Sequence, residues 1–172
     1  MTNLIPLLEF SCAIAIVALL CHAAAHDLAA RTVPNIDCAA IALLGLLQRL
    51  LTDGVFAALL AAAAAFFLGH ALWRRGLVGG GDVKMIAACC LVVPMARVPL
   101  LLCFMLCAGG VLACAYLLAG TCLRRRPPSS APARSLGLAR LLRLEAWRAR
   151  RGRAVPYAVA VATGTLLAMG GA

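Results

Sequence analysis

Six apolar runs, at 4–25, 36–51, 55–72, 83–96, 99–123 and 154–169, are separated by short polar breaks. Runs of this kind leave few structures open. In lipid every backbone amide must find its partner within the protein, and a helix does so within a single segment. The chain of 172 residues is 65% hydrophobic with a mean hydropathy of +1.00, well above the roughly half-apolar make-up of a soluble domain. The fold class expected is all-α: a polytopic membrane bundle of six transmembrane helices, with residues 1–172 forming one domain. The second and fourth runs are short against the ~20 residues of a perpendicular span, so they either thin the bilayer locally or extend into the breaks beside them. The first run lacks the basic start of a secretory signal, since "MTNLIPLLEF" carries Glu9 and no Lys or Arg, and it reads as a retained span.

A net charge of +10 would point a soluble protein toward nucleic acid. Here the basic residues follow the spans instead, so nucleic acid is not expected as a partner. If the breaks after the first, third and fifth runs share one side, that side holds every Lys and Arg except Arg49 and Arg97. Cytoplasmic loops collect basic residues, which puts that side in the cytoplasm and both ends of the chain outside. The longest break, 124–153, is a basic cytoplasmic loop. It opens with the connector "RRRPPSSAPARS" and continues with Leu138, Leu141, Leu144 and Trp147 at steps of three among arginines, a spacing suited to a helix lying on the anionic inner leaflet. Most of the nine cysteines fall inside apolar runs with no CxxC pair, and they read as small buried hydrophobes.

Two acidic residues stand out against this background. "HAAAHDLAARTVPN" closes the first run and "VGGGDVKM" opens the fourth, so Asp27 and Asp82 fall on the same cytoplasmic side. An ionisable group near the bilayer costs up to ~2.5 to 3.5 kcal/mol at a span's centre and less toward the interface, and it marks a functional site. Two close carboxylates tend to share a proton, so that one serves as base and the other as acid, and such a pair can activate water against a peptide carbonyl. Gly79, Gly80 and Gly81 are expected to keep the backbone before the fourth helix irregular and open to an extended substrate strand. Taken alone, "GGGD" is equally a helix start with Asp82 as its cap.

Together these residues resemble the type IV prepilin peptidases, intramembrane aspartic proteases with a GxGD motif. "GGGDVK" matches the family's GxGDxK around its second catalytic aspartate. "DLAARTVPN" is similar to the stretch around the first, and "VPYAVAVATGTL" is similar to the start of the last helix in short members. The resemblance implies that Asp27 and Asp82 are the catalytic pair and that Gly79 and Gly81 are the motif glycines. It implies a six-helix bundle in the bacterial inner membrane that cuts the basic leader from a pilin precursor at the cytoplasmic face, with no cofactor. Larger members carry an added segment with cysteine pairs and also N-methylate the new terminus. The lack of that segment here resembles the short subgroup serving tight-adherence (Flp) pili, and the likeness does not extend to methyl transfer.

Other residues have local readings. His22, His26 and Asp27 have a spacing that could hold a metal, but no third strong ligand is evident and a two-aspartate site needs none, so no metal is expected. Lys84 and Arg31 each either face a carboxylate or mark the cytoplasmic boundary. Pro34 and Asn35 break and restart the backbone, and Asp37 and Asp53 read as helix-start and turn residues. Two alternatives use the same aspartates differently: a small ion- or proton-coupled transporter, and a non-catalytic scaffold for a pilus or secretion apparatus. The nearly pure Ala, Leu and Val of the outer halves of the runs argues against an ion path.

Overall fold

The computed structural model describes residues 4–52, 54–124 and 155–170. Apart from Arg124, the basic loop expected at 124–153, with its leucine and tryptophan stripe, lies outside the described residues, as does Asp53. The described chain is all helical. The helices are α1 (Leu4–Ala30), α2 (Asn35–Leu51), α3 (Val55–Arg74), α4 (Gly80–Val92), α5 (Val98–Arg124) and α6 (Tyr157–Gly170), with a 3₁₀ turn, Met95–Arg97, between α4 and α5. Among the described residues, three stretches are long and apolar enough to cross a membrane: Ile5–Ala30, Val55–Arg74 and Met95–Ala119. The other helices, α2, α4 and α6, are shorter, at 17, 13 and 14 residues.

Helix ends follow local chemistry. α1 runs five residues past the first apolar run and stops where Arg31 takes a left-handed φ of 58°, its N–H still bonded to the Asp27 carbonyl at 2.9 Å. Pro34, with φ −62° and no N–H to lose, caps the start of α2 as its sequence position suggests. The fourth helix departs from expectation at both ends. It begins at Gly80, because Asp82, in its first turn, accepts a hydrogen bond from the Gly79 N–H and so offsets the glycine penalty. It ends at Val92, because Pro94 forces the preceding Val93 into an extended conformation. The irregular glycine strand expected before α4 is therefore a helix start, with only Gly79 extended.

The short helices form the centre. α4 packs against α2, α3 and α6, while α1 lies on α2 and α6, and α5 lies on α6. α4 buries Met85, Cys89 and Cys90 completely, and α6 buries Ala158, Ala160 and Thr165. The long helices bury Ile16, Leu20, Leu101 and Met105 but leave many large side chains outward, Phe10, Phe56 and Leu117 among them, the arrangement expected when lipid is the solvent. At one end of the bundle lie the ends of α1 and α3 and the starts of α2, α4 and α6. The opposite end is tied by side-chain bonds to backbone: Arg49 Nη2 donates to Val92 O (3.1 Å) and Arg97 Nη1 to Ala168 O (3.5 Å), carbonyls in the last turns of α4 and α6, and Gln48 Nε2 donates to Glu9 O near the start of α1 (3.2 Å). Arg49 and Arg97 thus sit at the end away from Arg31, Arg74, Arg75 and Lys84, the division the sequence suggests.

Close helix approach depends on missing side chains. A Cβ at Gly164 on α6 would lie 2.7 Å from the Met105 backbone nitrogen on α5, whereas one at Gly110 would meet open space. Gly164→Ala should therefore destabilise the bundle by about 1–3 kcal/mol, the range for overpacked cores, and Gly110→Ala should stay near wild type. Unfolding titrations in mixed detergent micelles measure both.

Candidate active site

The end of the bundle where α1 finishes and α4 and α6 begin holds a cavity of about 440 Å³ lined by Asp27, Arg31, Asn35, Gly79, Gly80, Gly81, Asp82, Lys84 and Tyr157, among others. Every site residue expected from the sequence lines it. Asp27 arrives one turn before the end of α1 and is only 7% exposed. Its Oδ2 accepts a hydrogen bond from the Ala158 N–H at 3.1 Å. The N–H groups in the first turn of a helix lack intrahelical acceptors, so the start of α6 is a ready donor for a carboxylate. Pro156 sets up that start, since α6 begins at the next residue.

Asp82 is held in the same manner by a different helix. It stands at the mouth, ahead of the apolar run that begins at Val83, and its carboxylate accepts from the Gly79 N–H. A Cβ on Gly79 would lie 2.7 Å from Asp82 Oδ2, so glycine is required there for the carboxylate to fold back onto the backbone. Gly80 lies under the Trp73 indole, whose Nε1 would be 3.2 Å from a Cβ. At Gly81 the nearest neighbour is the Val33 side chain at 3.4 Å, an ordinary contact. The three glycines therefore differ in function: Gly79 makes room for the carboxylate, Gly80 for an aromatic ring, and Gly81 meets only light contact.

The charged neighbours have specific partners. Lys84 Nζ donates to Asn35 Oδ1 at 3.0 Å, which ties the second turn of α4 to the start of α2 at the rim of the cavity. Arg31 Nη2 donates to the Tyr116 hydroxyl on α5 at 3.0 Å and its guanidinium lies 5.5 Å from the centre of that ring. Arg31 is thus built into the wall, beyond its role as a marker of the membrane boundary. The two histidines go elsewhere: His22 Nδ1 pairs with the buried Asp37 Oδ2 at 2.8 Å, and His26 Nδ1 donates to Thr32 O at 2.7 Å. Asp37 is in the first turn of α2, as its sequence position suggests, but the His22 contact had no sequence signal.

Two contributors were missed because neither advertises itself. Ala158 acts through its backbone. Tyr157 lies within a stretch read only for its likeness to a last-helix start; its ring fits against Gly109 on α5, where a Cβ would come within 2.8 Å of it.

The sequence pattern of the type IV leader peptidase family matches residues 14–114, a stretch that carries both aspartates and the GGGD turn. The chain belongs to that family. It is a membrane-embedded peptidase of the leader-peptidase type. No curated protein and no solved structure matches the chain.

The glycine contacts generate a discriminating test. Gly79→Ala should displace the Asp82 carboxylate and lower peptidase activity on the order of 100-fold, the cost of misplacing a reacting group by about 1 Å. Gly81→Ala should remain close to wild type. Rates of precursor cleavage in membranes, normalised to inserted protein, check the contrast.

Proposed function

We propose that this chain is an aspartic endopeptidase that removes the leader of a type IV, Flp-type prepilin at the cytoplasmic face of the bacterial inner membrane. The observation that carries the reading is the shared cavity. Asp27 and Asp82 come from helices far apart in the chain and line one space at the end of the bundle where the described basic residues also gather. Membership of a leader peptidase family supports proteolysis as the chemistry, and it leaves the transport and scaffold alternatives with no observation of their own.

In this reading all six helices cross the bilayer, the three short ones doing so where the membrane thins around the mouth. A water molecule sits between the carboxylates. Asp27, fixed by the Ala158 amide, takes a proton from it as the water attacks the carbonyl at the leader junction. Asp82, carrying the proton the pair shares, gives it to the carbonyl oxygen to form a diol, which collapses as Asp27 passes its new proton to the departing amine and Asp82 takes one back from a diol hydroxyl. Each step uses a proton already on the pair or on the water, so no metal or cofactor enters. Lys84 and Gly79 to Gly81 border the path by which an extended substrate segment reaches the pair.

Asp27→Asn and Asp82→Asn should each abolish cleavage of a co-expressed Flp-type prepilin while leaving insertion and expression unchanged, as read from precursor and product sizes on gels. Retained processing in both variants would end the proposal. The pH profile gives an independent check. The pair must hold one shared proton to act, so kcat/KM should fall as rising pH removes it. A profile that climbs steadily toward alkaline pH contradicts this assignment.

A further inference from the structure

We propose that the cleft between α2 and α3, floored by α4, is the docking groove for the apolar membrane-spanning helix of the substrate. This rests on the peptidase reading above. The groove has a volume of about 540 Å³, and six of its thirteen lining residues are alanine, Ala39 and Ala42 from α2, Ala62 and Ala63 from α3, Ala87 and Ala88 from α4, with Phe66 and Phe67 among the larger ones. Small residues on three helices allow a fourth backbone to come close, which is how helices associate where lipid removes the hydrophobic drive between them.

The groove's connection to the site identifies its occupant. Asn35 and Lys84, bonded to each other, line both the groove and the aspartate cavity, so the two spaces meet at that pair. From Lys84 the groove continues along α4 to Leu91, about two helical turns toward the opposite end of the bundle. A peptide bond must be extended to be attacked, whereas backbone within lipid must be helical. A substrate that is extended beside the aspartates and helical immediately beyond them needs a cavity that opens into a helix-wide groove, as these two do. A lipid acyl chain could fill the alanine walls, but it would make no use of the opening into a polar cavity.

Photocrosslinking in membranes tests the assignment. A photoreactive residue is placed at position 63 in the groove, or at Leu117 on the exposed face of α5, in the Asp82→Asn chain co-expressed with a Flp-type prepilin. The expected result is a prepilin adduct at 63 and none at 117. Adducts only with lipid at 63, or equal prepilin adducts at both positions, would overturn the groove. In the active chain, Ala63→Phe should slow prepilin cleavage about tenfold or more while Leu117→Phe leaves it unchanged. Equal rates for the two variants would also overturn it. Wild-type cleavage that depends on Asp27 and Asp82, found without the adduct at 63, defeats the groove alone, whereas absence of any wild-type cleavage defeats the peptidase reading itself.

Discussion

A carboxylate withdrawn from water at the end of an apolar bundle must find protein donors to replace it, or it will not remain there. Two backbone amides meet this need, the Ala158 N–H for Asp27 and the Gly79 N–H for Asp82. Both belong to helix starts, where N–H groups lack partners of their own. The donors therefore come at little cost to secondary structure, and each orients one acid. The arrangement needs α6 to begin beside the end of α1, and α4 to begin with a residue that has no side chain. Much of the remaining fold provides those two conditions.

The division of helix lengths follows from the same need. α4 and α6 span roughly 20 Å each at 1.5 Å per residue, against ~30 Å of hydrocarbon, while α1 and α5 are about twice as long. Central helices this short keep their starts, and hence the cavity, below the level reached by their longer neighbours. The centre is held by close contact rather than by bulk. Gly45 on α2 would place a Cβ 3.0 Å from the Leu91 backbone of α4, and Gly69 on α3 would place one 2.9 Å from Val83. At the far end, Arg49 and Arg97 satisfy terminal carbonyls and Gln48 bonds the α1 backbone, leaving the mouth as the end built around acids.

Much of this was legible from the order of residues, for a physical reason: charges in an apolar chain are conspicuous. Asp27 and Asp82 stood out against their surroundings, the distribution of arginine paired the breaks correctly, and Pro34 marked a helix start. Features that depend on backbone or on distant partners were not legible. Ala158 serves the site through an N–H that any residue but proline could offer. Asp37 had a sufficient local role in the first turn of α2, so nothing pointed to His22. Arg31 looked like a boundary charge until Tyr116, far along the chain, was found beside it. The start of α4 was misplaced because three glycines read as irregular backbone, and only the fold of the Asp82 carboxylate onto Gly79 makes a helix there favourable.

The central claim is that the two acids approach each other across one cavity in the membrane-embedded protein. Thiol cross-linking tests it most directly: Asp27→Cys and Asp82→Cys are introduced together into a chain whose native cysteines have been replaced, and a short bifunctional thiol reagent is applied to intact membranes. The account predicts an efficient internal cross-link for this pair and none when Asp27→Cys is combined with a cysteine at Leu117. A fully inserted chain in which the 27–82 pair fails to link, with both thiols still reactive toward a single-ended reagent, would contradict it.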